Sequence, residues 1–321
     1  MPDLSVGGQA VIEGVMMRSK DRVSTAVRIP SGEILVKTEN YISLSKKFKI
    51  LGWPILRGVV TFFEMLVIGV KTLNFSADIA VKEVEKEEAI AEGKVYVPGE
   101  KSHNNLALIG TVVFALALGI LIFFFTPIAI ASWLGIERDA VVFNLVAGAV
   151  RVILFLAYVW LISLFGEFKK VFQYHGAEHK SIFAYENGEE LTTENVSRYT
   201  TFHPRCGTSF ILIVALFAIL IYSISDSVYA IIMGYPPALL TRFAVHFSLL
   251  PLVAGGSYEL LKLSGKTREN SITKVLIQPG LWLQRITTKE PSTEQMEVAI
   301  VALESALGIT DSKISVNKTC L

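Results

Sequence analysis

Four long runs of apolar residues occupy the chain after residue 105, and shorter polar segments separate them. Each run has about the 20 residues that a helix needs to cross the hydrocarbon core of a bilayer. The pattern therefore predicts a mainly α-helical, polytopic membrane protein with about four transmembrane helices. The predicted spans are 106–126, 141–165, 208–224 and 238–261.

Short segments rich in β-branched residues precede these runs and predict a small β-containing lobe over residues 1–50. Residues 25–29 and 33–37 flank a Pro-Ser-Gly sequence, which is typical of a β-hairpin. Upstream glycines, Gly8 and Gly14 among them, indicate turns or close backbone approaches. A packing role is favoured over a ligand loop, because lone glycines are weak motifs.

Residues 51–105 divide into an apolar stretch and a charged linker. Within 55–80, polar residues such as Arg57 and Lys71 recur at helical spacing. This stripe predicts an amphipathic helix that lies at the membrane interface or against the bundle, with a fifth span as the alternative. The charged segment 82–105 is interpreted as a solvated linker or a helical extension.

The C-terminal segment, residues 266–321, is expected to be cytoplasmic and to end in a helix over 293–307. Ser292 before this stretch and Gly308 after it are typical start and stop signals. Four apolar residues share one face, so the helix is expected to pack back on the lobe. These residues are Met296, Ile300, Leu303 and Leu307.

The distribution of charge predicts the orientation of the transmembrane bundle, residues 106–265. Only 18% of the 321 residues are charged, against about 25% in soluble domains. Lys and Arg are frequent in the loop 166–207 and in the C-terminal segment, but nearly absent from the connectors 127–140 and 225–237. The positive-inside rule then places both termini and the loop in the cytoplasm. The formal net charge of +1 gives no reason to expect nucleic-acid binding.

Three of the five histidines fall within 29 consecutive positions of that loop. His175 and His179 are four residues apart, so on a helix both can face one ion, with Glu178 beside them. The order H-x-x-E-H matches a pattern in which two histidines bind zinc and the glutamate acts as a base. His175 and His179 are therefore candidate ligands, and Glu178 is the candidate catalytic residue.

His203 and Cys206 form a second candidate pair, three residues apart with Pro204 and Gly207 around them. Such turns are common at metal knuckles. Glu259, at the end of the fourth predicted span, is a further candidate ligand, because an ionisable residue in such a place needs a partner.

Two different sites remain open. If both histidine–histidine and histidine–cysteine pairs bind, coordination is closed and the metal is structural. If His175, His179 and Glu259 bind, one position stays free for water, whose proton Glu178 can accept. The expected cofactor is a divalent metal, with Zn²⁺ first and iron, nickel or manganese as alternatives.

Charged residues within the predicted spans can have structural roles as well as functional ones. Arg151 can bind substrate, or it can pair with Glu259 or with a helix-end carbonyl. Arg242 and His246 begin the fourth span and are expected to form a structural pair far from the metal.

Five motifs are long enough to compare with known families. They are GGQAVIEGVMMRS, YHGAEHKSIFAYENGEELT, FHPRCGTSF, PLVAGGSYELL and PGLWLQRITTKEP. In these motifs, spread over nearly the whole chain, the sequence resembles the YqhQ-like family of bacterial membrane proteins. The resemblance implies a predicted metal-dependent enzyme of the bacterial plasma membrane, without an established activity. It also implies which positions to test, namely His175, Glu178, His179, His203, Cys206 and Glu259.

The leading hypothesis for function is a metal-dependent hydrolase at the cytoplasmic membrane face, acting on a peptide, a lipid headgroup or another amide or phosphate ester. The alternative is a non-catalytic scaffold or assembly factor whose structural metal fixes a loop that docks a partner. A transporter ranks third, because few polar residues are predicted inside the bundle. The expected partners are the lipid bilayer and a peptide or lipid substrate or a membrane protein; a homo-oligomer is left open.

Overall fold

The structure is a computed structural model that describes residues 6–93, 105–136, 139–266 and 271–309. Over these ranges the chain is mainly helical, with a small antiparallel sheet near its N-terminus. This architecture confirms the predicted mainly helical fold with a β-containing N-terminal part.

The sheet has four strands in chain order, each antiparallel to the next. The predicted hairpin is confirmed, since Arg28 pairs with Ile34 across the Pro-Ser-Gly turn. The two earlier strands were not predicted individually, because their glycines are unfavourable for strands. Gly14 makes the close approach that its type suggested: a Cβ there would lie 2.2 Å from the carbonyl oxygen of Ala26. The strands are β1 (Gly7–Val11), β2 (Gly14–Arg18), β3 (Arg22–Arg28) and β4 (Ile34–Asn40).

The described helices follow the sheet in the chain, with a short 3₁₀ turn (Lys49–Gly52) after the first and a π-helical turn (Leu121–Phe125) after the third. They are α1 (Leu44–Lys47), α2 (Leu56–Ala91), α3 (Asn105–Ile120), α4 (Thr126–Trp133), α5 (Ala140–Ile162), α6 (Gly166–Glu186), α7 (Thr193–Ser197), α8 (Gly207–Met233), α9 (Leu239–Ser248), α10 (Leu250–Lys266), α11 (Ser271–Thr287) and α12 (Thr293–Leu307).

The sheet packs against α6 and α12, and the three elements enclose one apolar core. Val15 and Ala26 from the sheet, Ala177 from α6 and Leu303 from α12 are fully buried there. The lobe is therefore built from the N-terminal strands and from two helices that lie far along the chain. This packing places α6, which carries the H-x-x-E-H motif, beside β1.

The terminal helix α12 has the predicted bounds and the predicted contacts. The Ser292 hydroxyl accepts a hydrogen bond from the Gln295 N–H, and the Gln295 side chain accepts one from the Ser292 N–H. Gly308 ends the helix in the left-handed conformation, with φ of 73°. Because start and stop signals are local, the sequence was sufficient to predict this element.

Three described helical segments are long and apolar enough to cross a membrane: Val113–Trp133, Ala140–Ile162 and Ile213–Met233. The pair Leu239–Ser248 and Leu250–Leu260 is bent by 49° and counts as a fourth if it is one span. Helix α2 is outside this group. It continues the predicted amphipathic stretch to Ala91, so the first part of the charged linker is a helical extension; residues 94–104 lie outside the described ranges.

The first apolar helix extends seven residues beyond its predicted end at 126 and contains the π-helical turn. There the Arg151 Nε–H donates to the carbonyl oxygen of Phe123 over 2.9 Å. A π turn leaves a carbonyl without its usual helical partner. Of the alternatives for Arg151, the structure therefore shows pairing with a helix carbonyl.

Arg242 and His246 are buried in α9, as the prediction of a structural pair requires, but both bind Asp226 of α8. Arg242 Nε lies 3.0 Å from one carboxylate oxygen and His246 Nε2 lies 2.9 Å from the other. The Asn144 amide of α5 also donates to Asp226, over 3.0 Å. We call these four residues the Asp226 cluster; it joins three helices of the bundle.

Candidate metal centre

Helix α6 presents His175 and His179 on one face, with ring centroids 4.4 Å apart. The chain turns at 163–165 before α6 begins, so the motif is on a separate helix and does not continue the second span. Gly176 lets α6 lie close to the chain after α11, because a Cβ there would be 2.1 Å from the carbonyl oxygen of Lys289. The Lys289 N–H donates to the Phe172 carbonyl over 2.9 Å and fixes this approach.

Both histidine rings are oriented by backbone carbonyl groups. His175 Nδ1 lies 2.8 Å from the carbonyl oxygen of Thr287, and His179 Nδ1 lies 2.5 Å from that of Thr201. A carbonyl oxygen can only accept, so both Nδ1 atoms carry a proton. In a neutral imidazole the Nε2 atom then has a free lone pair. This hydrogen bond through the other ring nitrogen is the usual support of a metal-binding histidine.

Cys206 lies just before α8, and its buried thiol faces the two imidazoles. The Cys206 N–H donates to the His203 carbonyl over 3.2 Å, which closes the turn. The Sγ atom is 3.2 Å from His175 Nε2. Ligand atoms of His175, His179 and Cys206 all lie within 4.8 Å of one another. We call these three residues the His/His/Cys cluster.

The cluster fits the donor set of a zinc ion. Bond lengths of about 2.0–2.3 Å to nitrogen and sulfur place the ligand atoms of tetrahedral zinc roughly 3.5 Å apart. The ligand atoms here have comparable separations, 3.2 Å between His175 Nε2 and Cys206 Sγ and at most 4.8 Å for any pair. His179 Nε2 is buried, and the polar side chain that it faces is the Cys206 thiol. Burial also lowers the pKa of His179, although the Cys206 thiol opposes that shift. A lowered pKa favours the neutral imidazole, which is the form that binds a metal.

His203 lies at the edge of the cluster, with its ring centroid 5.6 Å from that of His179. Its Nδ1 accepts a hydrogen bond from the Arg205 N–H over 3.2 Å, so the neutral ring carries its proton on Nε2. That atom faces the Glu186 carboxylate at 3.7 Å, and Arg205 pairs with the same carboxylate. His203 thus has the opposite tautomer to the two clustered histidines, and the structure does not bring its ring nitrogen into the donor group.

Glu259 is on α10 and is paired with Arg57 of α2. The Arg57 Nε–H donates to Glu259 Oε1 over 2.6 Å, and a second guanidinium nitrogen contacts Oε2. Gly58 and Gly255 let the two helices approach at this point, since a Cβ on Gly58 would lie 2.7 Å from the Gly255 carbonyl oxygen. The structure therefore gives Glu259 a cationic partner and does not bring it to the His/His/Cys cluster.

Glu178 is buried beneath strand β1, where a Cβ on Gly8 would come within 2.9 Å of its carboxyl carbon. Burial raises the pKa of Glu178 to about 7, while His175 and the Gly8 backbone N–H oppose the shift. Its Oε2 atom accepts no hydrogen bond from the described part of the chain. Gly8 thus makes the close approach expected of it, and Glu178 is a buried carboxyl group beside a candidate ligand.

Several residues of the site were missed by sequence reasoning. Gln284 of α11 bonds both the N–H and the carbonyl of His203, over 2.7 and 2.9 Å, and so holds the turn before Cys206. Lys180 is buried next to His179; it donates to the Ser197 carbonyl and pairs with Glu290. The carbonyls of Thr201 and Thr287 could not be found from side-chain patterns, because they act through the backbone.

Comparisons with known proteins support the family resemblance that the sequence motifs indicate. The family described as "Protein of unknown function (DUF1385)" matches residues 53–309. The uncharacterized protein YqhQ of Bacillus subtilis (strain 168) is 35% identical over 312 residues, which cover 94% of this chain and 92% of that protein. No solved structure matches the chain. The chain therefore belongs to the YqhQ-like DUF1385 family, a family of unknown function.

Proposed function

We propose that this protein is a metal-dependent hydrolase of the plasma membrane, with His175, His179 and Cys206 as the ligands of a divalent metal, zinc in the first place. The observation that carries the proposal is the orientation of the two imidazoles. Each donates its Nδ1–H to a backbone carbonyl and turns a free Nε2 lone pair toward the thiol. Such an arrangement serves metal binding and has little use in a purely apolar core.

Three protein donors leave one position of a tetrahedral ion open, as in catalytic zinc sites. A bound zinc ion would supply a Lewis acid and lower the pKa of a water molecule at that position. Cys206 takes the place that the sequence hypothesis gave to Glu259, whose charge is already matched by Arg57.

Glu178 is the proposed proton acceptor in this reaction. It is adjacent in sequence to His179 and close enough to His175 for their charges to interact. Its buried Oε2 atom has no hydrogen-bond partner among the described residues. Because this carboxyl group lies beneath β1, in the proposed reaction it would exchange a proton with a water molecule held inside the lobe.

The reaction is proposed to take place at the cytoplasmic face, with both termini in the cytoplasm. Support comes from the three or four apolar helices and from the Lys and Arg residues of the loop 166–207. The motif helix α6 directly follows the apolar helix α5, so the His/His/Cys cluster would lie close to the membrane surface.

A Glu178→Gln variant tests the proposal. Metal content of the purified protein is measured together with complementation of a deletion strain. We expect the variant to keep its metal and to lose cellular function. Glu304→Gln is the matched control, because Glu304 is a partly buried glutamate of the same lobe, on α12. Full complementation by Glu178→Gln would refute the catalytic role.

A second candidate function is a scaffold with a structural metal. One observation favours it: the cluster joins α6 to the turn before α8 and, through Thr287, to the end of α11. A metal there would clamp three separate segments, as structural zinc does. In that case Glu178→Gln complements fully, whereas Cys206→Ser loses the metal, stability and function together.

A further inference from the structure

A cavity of about 760 Å³ lies among the helices α3, α5, α8, α10 and α11. Its volume is in the range of small-molecule binding sites. Nearly all of its wall is apolar, and Arg151 is the charged residue among the described lining residues. Since Arg151 already donates to the Phe123 carbonyl, the cavity offers contact surface for hydrocarbon and little for a polar molecule.

On α5 the lining residues lie between 151 and 156, in the half of the helix that leads to α6 and the His/His/Cys cluster. Arg151, the first of these residues in the chain, is about 16 Å along α5 from Ala140, as the rise of a helix gives. Helix α11 contributes Pro279, Leu283 and Ile286 to the wall. In the proposed orientation the α5 and α11 parts of the wall lie between the middle of the membrane and its cytoplasmic boundary.

Helix α11 is shared by the cavity and the candidate metal centre. Leu283 and Ile286 line the cavity, while the neighbouring Gln284 and Thr287 bond His203 and His175. Residues adjacent in a helix point about 100° apart, so one short helix presents one side to each site. Helix α11 alone would therefore separate a molecule at this wall of the cavity from the residues that it bonds in the candidate metal centre.

The rim of the cavity is continuous with the apolar surface of the spans. Leu116 and Trp282 at the rim are 63% and 61% exposed. In a bilayer these side chains would contact lipid, so a chain could enter from the side without crossing water.

We propose that the cavity holds one hydrocarbon chain of a membrane lipid, and that the substrate class of the site is a lipid whose chain is anchored there while its polar part reaches the cluster. This assignment rests on the proposed function. It selects a lipid over a soluble peptide among the substrates considered for the hydrolase.

Photolabelling tests the proposal in protein reconstituted into phospholipid vesicles. The probe is a phosphatidylglycerol that carries a diazirine within one acyl chain. Gly119→Phe fills the cavity: Gly119 lies in its wall, and a Cβ there meets no atom within 4 Å. Gly110→Phe is the matched control on the same helix, equally free of clashes, exposed, and not part of the wall.

We expect label on the α11 residues 279–286 in the wild type and in Gly110→Phe, and at least about tenfold less in Gly119→Phe. Equal labelling of Gly119→Phe and Gly110→Phe would overturn the proposal. An unlabelled α11 in the wild type would overturn it as well, and is the result expected if a second copy of the chain, not a lipid, covers the cavity. Ala115→Phe, on the same wall, replaces Gly119→Phe if that variant does not fold. Metal content is measured on every sample, because a wild type without metal refutes the proposed function, whereas equal labelling with metal retained refutes the lipid site alone.

Discussion

His175 Nε2 and Cys206 Sγ lie 3.2 Å apart, although 31 positions separate the two residues in the chain. The contact joins the middle of α6 to the turn before α8. Other contacts hold both side chains in place. His175 donates to the Thr287 carbonyl, and Cys206 follows a turn that is hydrogen-bonded to Gln284. Such support places donor atoms in position before a metal arrives, which favours tight binding.

Gly176→Ala should weaken this support. The added methyl would lie 2.1 Å from the Lys289 carbonyl oxygen, so α6 and the chain after α11 must separate. We expect a loss of about 1–3 kcal/mol in the free energy of unfolding, as for other overpacked sites, and weaker metal binding. Denaturant unfolding and metal titration measure the two effects.

Gly166→Ala is the control for this variant. Gly166 begins the same helix, and a Cβ there meets nothing within 4 Å. Alanine has the higher helix propensity, so stability should stay the same or rise by up to about 1 kcal/mol. Equal destabilisation by both variants would contradict the packing explanation.

Glu259→Gln should leave the metal content unchanged, because the structure pairs Glu259 with Arg57 and not with the cluster. The variant should instead lower stability. In a double-mutant cycle with Arg57→Ala we expect a coupling energy of about 0.5–3 kcal/mol. Loss of metal from Glu259→Gln would restore the hypothesis that Glu259 is a ligand.

Asp226→Ala should be strongly destabilising. The carboxylate accepts hydrogen bonds from Asn144, Arg242 and His246, and its side chain is 2% exposed. Removing one side of a buried ion pair costs about 3–5 kcal/mol. Ser227→Ala, in which a hydroxyl bonded to its own helix is lost, should cost under about 1 kcal/mol. Unfolding in detergent micelles compares the two, and similar values would contradict a central role for the Asp226 cluster.

Removal of the metal should lower the thermal stability of the wild type. A ligand present at about 100 times its dissociation constant stabilises the folded state by about 2.7 kcal/mol. A chelator should therefore lower the melting temperature of the wild type but not that of Cys206→Ser. An unchanged melting temperature in the wild type would indicate that the purified protein holds no stabilising metal.

Local signals predicted the elements that depend on neighbouring residues. The hairpin of β3 and β4 follows from its turn, and α12 follows from Ser292 and Gly308. The H-x-x-E-H spacing predicted that His175 and His179 share a helix face. In each case the deciding contacts are within a few positions of the residue concerned.

Long-range pairings were beyond the sequence. Arg57 and Glu259 are 202 positions apart, and nothing local indicates their contact. The prediction ended the third span at 224 and assigned Asp226 to the connector 225–237, but α8 continues to Met233 and contains Asp226. The need of this acidic residue for a partner was missed for that reason. The choice of Cys206 over Glu259 near the two histidines depends on how α8 and α10 pack, which no local pattern fixes.

The most direct test of the metal centre is cobalt substitution of the purified protein. The protein should bind one cobalt ion per chain through His175, His179 and Cys206. The bound cobalt should show the charge-transfer absorption of a cobalt–thiolate bond. That band should vanish in Cys206→Ser and weaken in His175→Ala, while His246→Ala, which removes a buried histidine of the Asp226 cluster, leaves it unchanged. A wild-type protein that takes up no cobalt, or that shows the same spectrum after Cys206→Ser, would contradict the assignment of the His/His/Cys cluster as a metal site.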